Sequence, residues 1–171
     1  MTAHLRYLSY VLRHKWYVAW AGLCLGVPLH QLIIHDWVKF LPIEWGPYVQ
    51  QFYNSDGSKR QVRDASGAYD PNAQSDDFRR AWLHHQRQPH HWQGWCVVGD
   101  GGSVAPLRMP KRFVREMVAD WIGAARANGA PARPDTEAWF LANHRKMVLH
   151  DSTRFLVTQI IKEAQRKGII A

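Results

Sequence analysis

Cysteines and long apolar runs are scarce in this sequence, and each scarcity excludes a class of protein. The 171 residues contain only Cys24 and Cys96, too few for a disulfide framework, and there is no C-x-x-C motif of a metal or redox site. The most apolar stretch, residues 16–34, is interrupted by Gly22, Gly26 and Pro28 and then by two polar residues. We therefore expect neither a membrane span nor a signal peptide, and a reducing cytoplasm is the simplest location.

Acidic residues are also in the minority. The chain has 14 Asp and Glu against 22 Lys and Arg, which gives a formal net charge of +8. Such a charge favours anionic partners, among them nucleotides, other phosphate-containing small molecules and nucleic acid. A hydrophobic fraction of 46%, with nine tryptophans, is typical of a folded protein, and the length suits one domain, residues 1–171.

Helical periodicity dominates the chain. In the first segment, apolar residues recur at three- and four-residue steps, at Leu5, Leu8, Leu12, Trp16, Trp20 and Leu23. Prolines in first turns and glycines after last turns delimit further helices. We predict a single all-α domain of six or seven helices, at about residues 4–25, 28–40, 42–53, 75–88, 110–127, 135–147 and 152–167. Residues 97–104 fit a short strand or hairpin.

A polar segment at about residues 54–74 lacks both helical and strand periodicity and is predicted to be a long loop. It carries Lys59, Arg60 and Arg63, which suit a lid over an anion, although a surface insertion explains them equally well. Lys111 and Arg112 lie near the start of a predicted helix, whose N-terminus favours anions. These five basic residues are candidates for substrate phosphate binding or for a solvated surface.

The ten histidines are the unusual part of the composition, because histidine is the commonest metal ligand. His14 lies on an apolar side of the first predicted helix, a place that also suits a structural histidine bonded to a carbonyl. His35 and Asp36 are adjacent, and Lys39 follows at helical spacing, so all three are predicted to project towards one region. A salt-bridged helix surface gives the same pattern.

Three more histidines lie in apolar surroundings. His85 follows an aromatic pair at helical spacing, which places it, rather than His84, on the buried side of its helix. His90 and His91 lie between a proline and a tryptophan, a context unlike that of a solvated histidine run.

Asp120 lies in an apolar helical stripe, with Glu116 one turn before it. Burying a carboxylate there costs free energy unless a cation or several hydrogen-bond donors compensate. The sequence therefore predicts a positive group beside Asp120.

The order of these candidates along the chain resembles that of the metal ligands in a known superfamily. From the N-terminus they are His14, His35-Asp36, His85, His90-His91 and Asp120. This order resembles the binuclear branch of the HD-domain metal-dependent phosphohydrolase superfamily, a helical fold whose ligands run His, His-Asp, His, His-His, Asp. The pattern His35-Asp36-x-x-Lys39 is similar to the His-Asp-x-Gly-Lys element of HD-GYP phosphodiesterases. The Gly-Tyr-Pro element that accompanies cyclic-dinucleotide hydrolysis is absent. The same segments look like a family of small uncharacterised proteins from bacteria and phages.

The resemblance implies a metal-dependent phosphohydrolase that cleaves a nucleotide or another phosphate ester with a metal-activated hydroxide. Mixed nitrogen and carboxylate donors suit two divalent transition-metal ions, drawn from Fe, Mn, Co, Zn and Ni. We expect one ion to be held by His14, His35, Asp36 and Asp120, with Asp36 able to bridge, and the second by His85, His90 and His91.

Two further residues receive supporting roles in this scheme. Lys39 is expected to neutralise charge that builds on the phosphate, and its structural alternative is a salt bridge to Asp36 or Glu44. Glu116 is expected to orient a ligand histidine rather than to act as a catalytic base.

Two other classes of function stay open. Some HD-fold proteins bind two irons and activate oxygen with a similar ligand set, and Lys39 would then bind an acid group of the substrate. A basic nucleic-acid-binding protein without catalysis also explains the net charge, with the histidines in structural roles.

Overall fold

A computed structural model describes residues 2–62 and 74–171. Within these ranges the chain forms seven α-helices and one small sheet, so the predicted all-α class is confirmed. The helices are α1 (Ala3–Cys24), α2 (Leu29–Ile34), α3 (Pro42–Phe52), α4 (Asp76–Gln86), α5 (Lys111–Ala127), α6 (Thr136–Asn143) and α7 (Asp151–Arg166). Strands β1 (Cys96–Val98) and β2 (Val104–Pro106) pair antiparallel, as the hairpin prediction suggests. No helix in the described ranges combines the length and apolarity needed to cross a membrane.

Three helix ends follow from local chemistry. The Ser75 hydroxyl accepts a hydrogen bond from the third residue along at 3.2 Å, and the Asp135 carboxylate does the same at 2.8 Å. Gly129, with a φ of 96°, follows the end of α5. Helix α7 begins at Asp151, one residue before its predicted start, and the His150 side chain caps it by accepting a hydrogen bond from the Ser152 amide at 3.1 Å.

The second predicted helix is wrong beyond Ile34. Helix α2 ends there, Asp36 adopts the left-handed conformation with a φ of 55°, and residues Trp37–Phe40 form a 3₁₀ helix. Aspartate tolerates this conformation better than most residues. The continuous helical spacing predicted to align His35, Asp36 and Lys39 is therefore absent, and only the spacing from Asp36 to Lys39 survives.

The chain divides into two compact units. The smaller unit comprises Met1–Leu12 and Asp36–Gln86, and the larger unit comprises Arg13–His35 and Arg87–Ala171. One boundary lies inside α1 and another at the peptide bond between His35 and Asp36, so neighbouring candidate ligands belong to different units. The single-domain organisation stays a prediction.

The smaller unit has an aromatic core built by the start of α1 and by α3 and α4. Its buried apolar residues are Tyr7, Val11, Tyr48, Val49, Phe78 and Ala81. The predicted polar loop begins here as a tight turn, in which Tyr53 pairs with Lys59 and Arg60 donates to the carbonyl of Gln50 at 2.8 Å.

The larger unit has a mainly aliphatic core, in which α5 packs against α7 and the second half of α1. Gly123 lets α5 approach α1 closely, because a Cβ at this position would lie 2.4 Å from Val18 Cγ2 and 2.8 Å from the Val18 backbone nitrogen. His14 lies one turn before Val18, and Asp120 lies one turn before Gly123. This close approach therefore positions both side chains.

The apolar stripe that predicts α1 is not the face that the helix buries. Leu5, Leu12, Trp16 and Leu23 are exposed, whereas the buried face carries Tyr7, Val11, His14, Val18 and Ala21. Helix α1 has two apolar faces, so periodicity identifies the helix and tertiary packing selects the buried side.

Candidate metal centre

Five buried polar side chains of the larger unit lie close together, and we call them the Asp120 cluster. Its members are His14 of α1, His35 after α2, His90 before β1, and Glu116 and Asp120 of α5. Histidines and carboxylates buried together are costly unless they bind one another or a cation. The cluster therefore has the composition of a metal site.

Three atoms of the Asp120 cluster form a small triangle. His14 Nε2 lies 3.1 Å from Asp120 Oδ1 and 3.4 Å from His35 Nε2. His35 Nε2 lies 3.6 Å from Asp120 Oδ1. Two imidazole nitrogens and one carboxylate oxygen thus face a common point.

The other nitrogen of His35 is held by Glu116. His35 Nδ1 lies 2.9 Å from Glu116 Oε1, and the Gln31 side-chain amide donates to Glu116 Oε2. His90 Nδ1 lies 3.5 Å from the same Glu116 Oε1. Ligand atoms of His35, His90 and Glu116 lie within 4.8 Å of one another, so this trio also has the spacing of a metal site.

The electrostatics of Asp120 favour its ionised form. Burial raises the pKa of this carboxyl, but hydrogen bonds and charge interactions with His14 and His35 outweigh burial and hold its pKa well below the usual value. The side chains that lie beside Asp120 are these two imidazoles, and the positive group predicted there stays a prediction. An ionised carboxylate is the form that coordinates a metal.

His90 and His91 are neighbours in space as well as in sequence. Their ring centroids are 4.2 Å apart, and each offers a nitrogen within 4.8 Å of the other's. The His90 ring also lies 4.4 Å from that of His35, which extends the row of imidazoles in the larger unit.

The smaller unit holds a second group of polar side chains, the Glu44 cluster, in which all members but the half-buried His84 are buried. Its members are Asp36, Lys39, Glu44, His84 and His85. Glu44 is fully buried and bonds two histidines, with Oε1 2.6 Å from His84 Nδ1 and Oε2 3.0 Å from His85 Nδ1. His85 Nε2 lies 3.6 Å from Asp36 Oδ1.

Lys39 forms a salt bridge to Asp36, which is the structural role considered for it from the sequence. The Lys39 ammonium is buried, so the pair brings a positive charge into the Glu44 cluster. Asp36 therefore already has a cationic partner within its own unit.

Sequence reasoning missed the buried position of Glu44 and set His84 aside in favour of His85. Burial raises the pKa of Glu44, although hydrogen bonding to His84 opposes the shift. The signal for Glu44 was present, because Glu44, Tyr48 and Phe52 recur at four-residue steps on one face of α3. Gln31 gave no signal, since its bond to Glu116 joins residues 85 positions apart.

The predicted phosphate-binding residues lie outside both clusters or outside the described ranges. Lys59 and Arg60 are exposed in the turn of the smaller unit. Lys111 and Arg112 are exposed at the start of α5, where Lys111 lies about 13 Å along the helix from Asp120. Arg63 falls outside the described residues.

The predicted ligands are divided between the two units. The larger unit gathers His14, His35, His90, His91 and Asp120, and the smaller unit pairs Asp36 with His85. The two-ion centre draws ligands from both units and stays a prediction. Within the larger unit, the ligand atoms of His14, His35 and Asp120 lie close enough together that they could hold a metal ion.

Comparison with known proteins places the chain in a family without a known activity. No curated protein and no solved structure matches the sequence significantly. The resemblance to the HD-domain superfamily stays a prediction. A family model described as a family of unknown function (DUF5662) matches residues 3–163, a span that includes all the candidate ligands. The chain therefore belongs to family DUF5662.

Proposed function

We propose that this protein is a metal-dependent hydrolase of phosphate esters, with an ion held by His14, His35 and Asp120. The observation that carries the proposal is the triangle of their ligand atoms, with sides of 3.1, 3.4 and 3.6 Å. Transition-metal ions bind imidazole and carboxylate at about 2.0–2.2 Å, which separates neighbouring ligand atoms by about 3.0–3.6 Å. The three residues therefore fit such an ion.

The chemistry of the donors narrows the choice of ion. Two imidazoles with one carboxylate suit Fe, Mn, Co, Zn or Ni, whereas Mg²⁺ and Ca²⁺ prefer all-oxygen sites. An ion bound there would lower the pKa of a water ligand and draw charge from a phosphoryl oxygen.

The protein's own side chains prepare the site. Glu116 holds His35 through Nδ1, so the other ring nitrogen, Nε2, faces His14 and Asp120. Gln31 fixes Glu116 in turn by donating to its other oxygen. Asp120 stays ionised at neutral pH because His14 and His35 hold its pKa low.

Charge supports a phosphate substrate. The net charge of +8 favours anionic ligands over neutral ones. The ligand order that resembles the HD-domain phosphohydrolases points the same way. The roles of Asp36 as a bridging ligand and of Lys39 as an electrophilic group stay predictions.

Elemental analysis of protein purified without chelator tests the proposal. We expect a stoichiometric transition metal in the parent protein and its loss in both His35→Ala and Asp120→Asn. His30→Ala is the matched control, since His30 is exposed on α2 and should leave the metal content unchanged. Phosphate release from a panel of nucleotides and phosphate esters should then follow the metal content. Metal-free parent protein, or metal retained in both variants, would contradict the proposal.

An iron-dependent oxygenase is the second candidate. Two histidines and one carboxylate with further positions open are also the ligand set of non-haem iron oxygenases. Bound iron, visible absorption after aerobic purification and oxygen consumption without phosphate release would favour oxygenase chemistry over hydrolysis.

A further inference from the structure

An open cleft of the larger unit combines aromatic and cationic side chains. It encloses about 450 Å³ and is lined by Trp16, Trp20, Arg126, Ala132, Arg133 and Gly168. Helix α1 supplies the tryptophans, α5 supplies Arg126, and the connection between α5 and α6 supplies Arg133. None of these residues belongs to the Asp120 cluster. The volume is in the range of small-molecule sites, about 300–1,000 Å³.

The aromatic wall is unusually accessible for tryptophan. Trp16 is 71% exposed and Trp20 is 37% exposed, so both indoles leave a large apolar surface in water. Arg126 lies over this wall, with its guanidinium carbon 4.2 Å from the Tyr17 ring centroid and 4.6 Å from that of Trp20. The cation–π contacts hold a flat cationic group beside the exposed Trp16.

The cationic wall carries uncompensated charge. In residues 2–62 and 74–171, no carboxylate forms an ion pair with Arg126 or Arg133. Glu163, by contrast, is engaged by Arg115 at 3.3 Å and by Lys167 at 2.7 Å. The two cleft arginines are therefore available to an anion.

Gly168 borders the cleft beside Arg133. Gly168 has a φ of 65°, and a Cβ there would lie 3.6 Å from Arg133 Nη2. A side chain at this position would contact the guanidinium at ordinary van der Waals distance, but it would strain the backbone because φ is positive.

We propose that this cleft binds a nucleoside phosphate, with the base stacked on Trp16 and the phosphate bound by Arg126 and Arg133. Every nucleobase has a flat face that stacks on an indole, and a guanidinium matches a phosphate with two parallel hydrogen bonds. An acidic peptide would use the arginines but leave the indole exposed. A free nucleotide and a nucleotide of a single strand share the chemistry that the cleft recognises.

Calorimetric titration in the presence of EDTA tests this site separately from the metal centre, because no bound ion can then hold a phosphate. The probes are AMP, adenosine, inorganic phosphate and a ten-nucleotide single-stranded DNA. We expect AMP to bind at least about tenfold more tightly than adenosine or phosphate, since both walls contribute. The single-stranded DNA arm identifies the source of the nucleotide: binding more than tenfold tighter than AMP assigns the cleft to a strand, and weaker binding assigns it to a free nucleotide.

Substitutions locate the binding in the cleft. Trp16→Ala should lower AMP affinity at least about fivefold, and Trp16→Phe should restore most of it, because phenylalanine retains a stacking face. Arg133→Ala should lower it about tenfold. Trp37→Ala is the matched control, since Trp37 is 61% exposed but lies in the smaller unit. Absence of AMP and DNA binding would overturn the proposal, and so would equal affinity for phosphate and AMP. Unchanged AMP affinity in both Trp16→Ala and Arg133→Ala would also overturn it.

Discussion

Glu44 and Asp120 occupy similar places in the two units, yet their pKa values are shifted in opposite directions. Each is a buried carboxylate held between two histidines. Burial dominates at Glu44 and raises its pKa, with the nearby Asp36 charge adding to the rise. At Asp120 the hydrogen bonds and charges of His14 and His35 outweigh burial and lower the pKa. Similar residue types therefore shift the pKa of a buried carboxyl in opposite directions.

The difference lies in how each carboxylate is compensated. The Glu44 cluster contains two carboxylates and one buried ammonium, that of Lys39, which bonds Asp36 rather than Glu44. The Asp120 cluster directs two imidazoles at one carboxylate oxygen and gives His35 its own acceptor, Glu116. The Asp120 cluster is thus organised to present an ionised carboxylate, which is why the proposed metal site is placed there.

Removing one imidazole from each cluster should give the largest difference between the two clusters, measured as a change in metal affinity. His14→Ala is expected to weaken binding of the ion at least about a hundredfold, because ligand loss exceeds the effect of losing a supporting residue. His84→Ala should leave this affinity almost unchanged, since His84 bonds Glu44 in the other unit. Titration of metal-free, chelator-treated protein with Zn²⁺ or Co²⁺ measures the metal affinity of both variants. Equal losses of metal affinity in the two variants would contradict the proposal that the ion binds at the Asp120 cluster.

Removing the acceptor behind His35 should have the next largest effect. Glu116→Gln keeps the size of the side chain but replaces a charged acceptor of His35 Nδ1 with a neutral amide. We expect metal affinity to fall about 10- to 100-fold, as is typical for such supporting partners. If Glu116 coordinates the ion directly together with His90, the loss should be larger, and the absorption spectrum of the Co²⁺ form should change.

Two glycines offer a matched test of the packing in each unit. Gly123→Ala forces α5 away from Val18 of α1, and we expect a loss of about 1–3 kcal/mol in the free energy of unfolding together with weaker metal binding. Gly46→Ala in α3 meets no atom within 4 Å and should stabilise the protein by about 0.5–1 kcal/mol. Urea denaturation checks both changes. A stable Gly123→Ala variant would show that the close approach does not hold the site.

The contributions of Glu44 and Asp120 to stability should depend on pH in opposite directions, and this is the smallest expected difference between the clusters. Glu44 has a raised pKa, so its contribution to stability is present below the ordinary value of 4.5 and is lost as the pH rises through the raised value. Asp120 has a lowered pKa, so its contribution is present above the ordinary value of 3.8 and is lost as the pH falls through the lowered value.

The destabilisation caused by Glu44→Gln should therefore shrink as the pH rises, whereas that caused by Asp120→Asn should shrink as the pH falls. Denaturation of the metal-free proteins across a pH series measures the two slopes. Slopes of the same sign would mean that the two carboxylates are compensated alike.

Much of the secondary structure could be predicted from local chemistry. The ends of α3, α4, α5 and α6 follow from proline, serine, aspartate and glycine at fixed positions, which act within one turn of the chain. The break at Asp36 could not, because a His-Asp pair within an apolar helical pattern gives no stop signal. The buried face of α1 could not either, since both of its faces are apolar.

The candidate site could likewise be predicted only in part. Apolar surroundings in the sequence indicated that His14, His85 and Asp120 are buried, and the structure buries all three. The tight bond from Gln31 to Glu116 and the position of Glu44 between His84 and His85 escaped prediction, because each joins residues at least 40 positions apart.

The sequence by itself therefore determined that the chain is helical, where most helices begin and end, and which polar residues lie in apolar surroundings. The tertiary structure decided which imidazoles and carboxylates meet, which nitrogen of His35 faces Asp120, and why one buried carboxylate is ionised more readily than the other. The physical reason is range: capping and periodicity act within a few residues, whereas desolvation and charge pairing depend on side chains that only packing brings together.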